Sequence, residues 1–308
     1  MKTFTHILKN LRAVDFVVVV FCGVLSAINL IFTGSVPNWH LHIVINFFFA
    51  AFAILSSVMH ERKKTLLWRQ LHLWYLVPMI FIFFKELYNM IEPIRQTICD
   101  PALIQIDRFI FHADPTVVLY KIANPYLTEL LQIVYGTFFF LPVILGIDFM
   151  RQRKVHEFDY SAFIIVFGFF LSFIGYILVP AIGPRFTLHD FAATNSEMPG
   201  LFVTNLLREI VNAGESISSG TLNPALLVQR DCFPSGHTQM TLLVMLLSIK
   251  FKSKLKWFFI IDGTLLIFAT VYLRYHYVVD LIAGILFMIF TLWSGKYIYG
   301  WWNNIKGK

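Results

Sequence analysis

The chain has 308 residues, of which 57% are hydrophobic and only 14% are charged. Globular domains carry roughly 25% charged residues, so this composition excludes an ordinary soluble enzyme and indicates an integral membrane protein. The formal net charge of +7 is compatible with a nucleic-acid surface. However, the lysines and arginines concentrate in alternate loops, a pattern that orients membrane proteins. We therefore expect a bilayer and no nucleic acid as the partner.

Eight apolar stretches follow one another along the chain, and most approach the roughly 20 residues that span a bilayer. They cover residues 14–33, 41–58, 72–91, 129–149, 160–181, 236–250, 256–274 and 277–298. The stretch at 236–250 is the weakest on length alone. Because no repeat, low-complexity segment or soluble domain separates them, the sequence predicts one all-α, multi-pass membrane unit of about eight spans.

The distribution of basic residues predicts the orientation of these spans. With both termini inside, the inner segments carry more than twice as many lysines and arginines as the outer ones, as the positive-inside rule requires. We expect a cell-membrane protein, in the inner membrane if the source is bacterial, with both termini cytoplasmic. The long outer segments, residues 92–128 and 182–235, contain amphipathic stretches that either cover a headgroup site or merely connect spans.

Residues 234–237 read Pro-Ser-Gly-His and begin the sixth stretch. Proline is favoured in the first turn of a helix, and the small pair Ser235-Gly236 exposes backbone N–H groups that suit a phosphate. The same tetrapeptide is also an ordinary helix start beside a histidine at the interface. The pattern fits anion binding but does not establish it.

His276 and Asp280 are four residues apart, so they lie on one face of a helix. The carboxylate can accept the proton of one ring nitrogen, which leaves the other nitrogen free as a nucleophile. Two alternatives are a polar pair at the headgroups and a metal site completed by His237. Neighbouring Arg185 and Arg274 favour an anion over a metal, because their planar forks match phosphate oxygens, although each could instead anchor a span. We expect no metal and no cofactor.

In order and spacing, Gly183-Pro184-Arg185, residues 234–237 and residues 272–280 resemble the three signature motifs of the type 2 phosphatidic acid phosphatase (PAP2) superfamily. The second motif, Pro-Ser-Gly-His, is matched fully, and His276 with Asp280 matches the end of the third. The resemblance implies that His276 forms a phosphohistidine, that Asp280 orients it, and that His237 protonates the departing oxygen. It implies that the phosphate is held by Ser235, Gly236 and Arg185.

The chain also departs from the family pattern. Leu178 stands where the first motif has a lysine, and Thr270 where the third has an arginine, so Arg274 is the expected substitute for the arginine. Lys85, in the outer half of the third stretch, is the expected substitute for the lysine. The Gly-Pro-Arg and Tyr-His-Tyr-x-x-Asp forms resemble the branch that contains inositol phosphorylceramide synthases.

The resemblance covers roughly residues 72–295. It implies a six-helix catalytic core at 72–300, two added transmembrane helices within 1–71 and a cytoplasmic tail at 301–308. All three motifs then fall on the extracytoplasmic face.

The expected function is hydrolysis of a phosphomonoester or diphosphate lipid headgroup at the outer leaflet. A transferase that moves the headgroup to a lipid alcohol is the alternative within the family. The polar residues 214–221 favour hydrolysis, because they predict a mobile segment that gives water access to the site. A lipid or ion transporter is the alternative of another class, but it predicts ionisable residues spread through several spans, whereas most cluster at one face here. Cys99 and Cys232 either form a disulfide outside or remain free thiols.

Overall fold

The computed structural model describes residues 10–218 and 220–307, so most of the basic segment 1–12 lies outside the described residues. Every regular element within them is a helix. In chain order these are α1 (Ala13–Ile31), α2 (Trp39–Lys63), α3 (Leu66–Trp74), α4 (Leu76–Ile94), α5 (Asp100–Phe111), α6 (Pro115–Tyr120), α7 (Pro125–Gly136), α8 (Phe140–Arg151), α9 (Val155–Leu178), α10 (Pro184–Thr187), α11 (Thr194–Glu197), α12 (Thr204–Gly214), α13 (Pro224–Leu227), α14 (Gly236–Lys250), α15 (Lys256–Tyr272) and α16 (Val278–Gly307).

Several of these helices are long and apolar enough to cross a membrane, which confirms the all-α fold and is compatible with a multi-pass protein. Five described segments qualify: α1, α2, α3 with α4, α9 and α16. The pair α7 and α8, bent by 58°, would make a sixth. The sixth and seventh apolar stretches form α14 and α15, of 15 and 17 residues. The count of eight spans, the orientation and the division at residue 71 stay predictions.

The chain packs as two compact units, and the first comprises the described residues up to Ile94 with Phe149–Phe173 and those from Ile289 onward. Polar groups buried among its apolar helices pair with one another. On α1, Asp15 accepts hydrogen bonds from His72 at 2.8 Å and from the Tyr75 hydroxyl at 2.9 Å. On α4, Glu86 accepts from the Asn29 and Asn46 amides at 3.0 and 2.9 Å. Such pairing offsets the cost of polar groups in an apolar interior.

The second unit, Arg95–Asp148 with Ile174–Met288, contains all three motifs, and α5 connects two of them. Buried Asp100, at the start of α5, accepts hydrogen bonds from the backbone N–H groups of Ile182 and Gly183 and from the Tyr277 hydroxyl. Asp107, two turns later, accepts from the first backbone N–H groups of α16 at 2.8–2.9 Å. A carboxylate at a helix N-terminus satisfies otherwise unpaired donors. Helix α5 therefore braces both the segment before Arg185 and the helix that carries Asp280.

A second brace holds the segment before α12. Glu129 on α7 accepts hydrogen bonds from the backbone N–H groups of Leu201 and Val203 at 2.8 and 2.7 Å and from the Thr204 hydroxyl at 2.6 Å. The contact requires a glycine at position 200, because a Cβ there would lie 1.9 Å from the Thr204 hydroxyl. Residues 201–204, within the segment 182–235 that the sequence left open as a cover or a connector, are thereby fixed to α7.

Candidate active site

Two histidines and one carboxylate form a continuous hydrogen-bonded chain in the second unit. His276 Nδ1 lies 3.3 Å from Asp280 Oδ2, and His276 Nε2 lies 3.3 Å from His237 Nδ1. The backbone N–H of Tyr277 also donates to Asp280 Oδ2, at 2.8 Å. Because an ionised carboxylate only accepts hydrogen bonds, the proton of His276 belongs on Nδ1. Nε2 then presents a lone pair, and His237 Nδ1 carries the proton between the rings.

Helix α14 begins at the second motif. Ser235 is its N-cap, with the hydroxyl accepting the backbone N–H of Thr238 at 3.2 Å. The backbone N–H of Ser235 donates to the Asp280 carbonyl at 3.0 Å, which connects the second motif to the third. Gly284 permits the approach of α16, since a Cβ there would lie 2.7 Å from the Ser235 carbonyl. Local capping and a close helix contact thus fix the position of His237.

A cavity of about 20 Å³ adjoins the histidines, room for roughly one water molecule. His237, His276, Cys232, Arg185 and Glu215 belong to its lining, together with Tyr135, Ile182, Asp231 and Tyr275. The buried Arg185 guanidinium pairs with the Glu215 carboxylate and donates to Asn212 Oδ1 at 2.9 Å. The Arg185 guanidinium, which could bind an anion, is therefore already paired with the carboxylate of Glu215, the residue that follows α12.

The structure separates Arg274 from that cavity, whose lining among the described residues does not include it. Arg274 is buried with a left-handed backbone (φ 66°), and its guanidinium pairs with Glu197 and lies 5.0 Å from the centre of the Tyr120 ring. Its Nε is buried without a hydrogen-bond partner. Ser235 and Gly236 are buried as well and do not line the cavity either. Phosphate contacts by these three residues stay predictions.

Lys85 belongs to the first unit, on the exposed side of α4, with its ammonium 5.8 Å from the centre of the Tyr88 ring. Its neighbour Glu86 is buried and bound to the two asparagine amides described above. The role of Lys85 in phosphate binding stays a prediction.

Comparison with known families decides the class of this site. The family model described as the PAP2 superfamily matches residues 101–294, which contain all three motifs. The chain belongs to the PAP2 superfamily. No curated protein and no solved structure matches it. PAP2 membership indicates phosphatase or phosphotransferase-type activity, and the resemblance to the inositol phosphorylceramide synthase branch stays a prediction.

Cys232 is a neighbour of the PAP2 catalytic motifs that sequence reasoning considered only for a disulfide. Both Cys99 and Cys232 are free thiols in the structure. The buried Cys232 Sγ donates to Asp280 Oδ2 at 3.0 Å. Burial, and then the negative charge of Asp280, raise the pKa of Cys232 well above its usual value. The thiol is therefore a neutral hydrogen-bond donor to the carboxylate that orients His276.

The chemistry of this donor set also fits a metal ion. One ligand atom from each of Cys232, His276 and Asp280 lies within 4.8 Å of the others, and zinc binds sulfur, imidazole and carboxylate ligands. The metal alternative raised by the sequence therefore has a concrete form, although with Cys232 rather than His237 as the third ligand.

Other residues that sequence reasoning missed surround the PAP2 motifs. Tyr135 of α7 stacks on both the His237 and Tyr275 rings, with centroids 4.7 and 4.3 Å apart. Glu197 and Glu215 pair with the two motif arginines. Nothing in their local sequence marks them, because each reaches the site only through the fold.

Proposed function

We propose that this PAP2 protein is a membrane lipid-phosphate phosphatase that hydrolyses a phosphomonoester or diphosphate headgroup at the outer leaflet through a phosphohistidine on His276. The chain Asp280–His276–His237 carries the proposal. It supplies an oriented nucleophile and a proton donor side by side, at a cavity that also contains the Arg185 guanidinium.

The first step is attack on phosphorus. His276 Nε2 donates its lone pair and forms the N–P bond, while Asp280 holds the proton on Nδ1 and stabilises the positive charge that develops on the ring. The direct contact between the two histidines must open as the phosphoryl group enters. Breaking the P–O bond leaves the electron pair on the leaving oxygen, which takes a proton from protonated His237.

In the second step, His237 accepts a proton from water as the water attacks phosphorus. The N–P bond breaks, orthophosphate leaves, and His276 returns to its starting state. The same residue thus serves as acid and then as base, and no group outside the chain is consumed except water.

Arg185 would bind the phosphate and neutralise part of its charge, since a guanidinium binds two phosphate oxygens with two parallel hydrogen bonds. Glu215 now holds that guanidinium. We propose that the incoming phosphate takes the place of the Glu215 carboxylate, so that the segment after α12 loosens when substrate binds.

A lipid phosphotransferase is the second candidate, and the aromatic surroundings of His237 favour it. Tyr135 stacks on this ring, and the Phe138 ring centre lies only 4.2 Å from it. Excluding water from the phosphohistidine is what a transferase needs if it is to pass its phosphoryl-containing group to an alcohol. A phosphatase instead needs a path for water beside these rings.

Trapping the intermediate tests the shared chemistry. Purified full-length protein in detergent is mixed with ³²P-labelled phosphatidic acid, phosphatidylglycerophosphate, phosphatidylinositol or polyprenyl diphosphate and quenched in alkali, where a phosphohistidine survives. We expect an acid-labile label on wild-type protein and none on His276→Ala. His237→Ala should lower turnover by about 10²–10⁴-fold. No label with any substrate, or label on His276→Ala, would refute the proposed nucleophile.

The fate of the label separates the two candidates, and chelation tests for a metal. A phosphatase releases orthophosphate at a rate that added diacylglycerol or ceramide leaves unchanged, whereas a transferase forms a labelled lipid only with such an acceptor. Activity should survive EDTA and be blocked by vanadate, which resembles five-coordinate phosphorus. Activity that EDTA removes and Zn²⁺ restores would establish the metal alternative.

A further inference from the structure

A second cavity, of about 160 Å³, lies beside the catalytic one. Arg185 and Tyr275 line both cavities. Side chains of α12 form much of the remaining wall, among them Arg208, Glu209 and Asn212. A ligand that occupied both cavities would therefore contact the Arg185 guanidinium between them.

Arg208 is the unusual member of this wall. It is only 5% exposed, and its guanidinium donates to Asn195 Oδ1 at 2.9 Å and to the Met198 carbonyl at 2.7 Å. Both acceptors are neutral. The other two buried arginines of this region differ, since Arg185 and Arg274 each pair with a glutamate. No carboxylate pairs with Arg208 in the part of the chain that the structure describes.

A buried charge without a counter-ion is costly, and groups of this kind mark ligand sites. Desolvation lowers the pKa of Arg208, and the positive charge of Arg274 lowers it further. An anion in the cavity would remove both penalties. The one carboxylate on the cavity wall, that of Glu209, belongs to an exposed residue, so water screens it from the buried guanidinium.

We propose that this cavity holds the lipid-side phosphate of a diphosphate headgroup on Arg208, while the terminal phosphate reacts at His276. This inference rests on the proposed function and narrows its substrate class. A phosphomonoester would engage His276 and Arg185 and leave Arg208 uncompensated. A neutral, hydroxyl-rich headgroup could use the asparagine amides but would not offset the charge, so the electrostatics favour a second phosphate.

The reaction balances in the same two steps. His276 Nε2 bonds to the terminal phosphorus, the bridging P–O bond breaks, and its electron pair leaves with the lipid monophosphate. Arg208 and Arg185 stabilise the charge that accumulates on this leaving group. Water then cleaves the N–P bond and releases orthophosphate, so that each diphosphate consumes one water molecule.

Binding of inorganic anions tests the site without turnover. The probes are inorganic diphosphate and orthophosphate, titrated by calorimetry into the full-length His276→Ala protein in detergent. We expect diphosphate to bind more tightly than orthophosphate. Adding Arg208→Gln should weaken diphosphate binding by roughly 10- to 100-fold, the range of a hydrogen bond to a charged group, and orthophosphate binding by much less. Arg208→Lys should restore part of the loss, because it keeps the charge.

Glu209→Gln is the matched control on the same helix. It removes a negative charge from the cavity wall at an exposed position, so we expect slightly tighter diphosphate binding and an unchanged melting temperature. Because Arg208 donates to one side-chain and one backbone acceptor, the melting temperatures of its variants are also measured. If Arg208→Gln does not fold, the proposed diphosphate site is still tested by the sign of the Glu209→Gln effect on diphosphate binding and by the diphosphate preference of His276→Ala.

Activity supplies the second measurement. With one isoprenoid chain carrying either a monophosphate or a diphosphate, Arg208→Gln should lower kcat/KM for the diphosphate selectively. Equal losses on both substrates, or no preference for inorganic diphosphate, would overturn the inference and leave the proposed function intact. Preferential diphosphate binding without hydrolysis of any lipid phosphate would instead refute the proposed function and retain the site.

Discussion

Removing the Asp100 carboxylate should disconnect the first PAP2 motif from the third. Asp100→Ala leaves the backbone N–H groups of Ile182 and Gly183 and the Tyr277 hydroxyl without their acceptor. Each buried donor left unpaired costs about 1–3 kcal/mol. Allowing for partial relaxation, we expect a loss of about 3–6 kcal/mol in the free energy of unfolding.

The functional consequence follows from the position of Gly183. It has a positive φ of 92°, and a Cβ there would lie 2.9 Å from the Tyr275 carbonyl. The backbone before Arg185 is therefore closely packed in a single conformation. When its anchor is lost, the guanidinium is no longer fixed at the cavity. We expect KM for a lipid phosphate to rise at least as much as kcat falls.

The assay is thermal unfolding in detergent together with steady-state hydrolysis. Tyr277→Phe removes one donor instead of the acceptor and should cost about 1 kcal/mol, which keeps the test usable if Asp100→Ala does not fold. Asp114→Ala, which breaks an exposed pair with Arg108, is the control and should change little. If Asp100→Ala melts and turns over like wild type, the bracing role is wrong.

Four further predictions address other parts of the molecule. In intact cells, after the native cysteines are replaced, Leu222→Cys (95% exposed in the wild type) should react with an impermeant thiol reagent and Lys254→Cys should not; the opposite pattern would reverse the predicted orientation. Burial and a nearby carboxylate raise the pKa of Cys232, so its alkylation should remain slow from pH 7 to 9, and a rate that climbs through pH 8.5 would contradict this. Gly200→Ala should lower the melting temperature, because its Cβ would clash with the Thr204 hydroxyl; an unchanged melting curve would show that the segment relaxes freely. Desolvation, reinforced by Arg274, lowers the pKa of His189 to about 4 from 6.5. As the pH is lowered, the unfolded chain therefore binds this proton first, and the free energy of unfolding should decrease from pH 6.5 to about pH 4; His189→Gln should flatten that profile in pH-dependent melts.

The chemistry of the motifs could be predicted from the sequence because it depends on local spacing. His276 and Asp280 are four residues apart and their side chains meet in the structure, and residues 234–237 form a helix start. The expectation that both lie on one helix face was wrong, because His276 lies two residues before α16, which begins at Val278. The all-α fold could be predicted for a similar reason, since long apolar stretches in a bilayer must satisfy their backbone hydrogen bonds internally. Family membership followed from the same residues and is confirmed.

The partners of the arginines could not be predicted in this way. The sequence treated Arg185 and Arg274 alike, as phosphate clamps, yet only Arg185 lines the catalytic cavity among the described residues. Arg274 has a left-handed backbone and pairs with Glu197, a residue 77 positions away. The direction of each side chain depends on which distant segment packs against it, and no local pattern encodes that choice.

By itself, the sequence determined that the chain forms apolar helices, that it carries a histidine–carboxylate pair and a helix start suited to phosphate, and that it belongs with PAP2 proteins. Only the tertiary structure decided that carboxylates of α5 brace two motifs separated from them by 82 to 177 positions, and that Arg208 lies buried beside the site with no carboxylate paired to it among the described residues. Hydrophobic periodicity and helix capping act over a few residues, whereas bracing and charge compensation arise when the folded chain brings distant residues together.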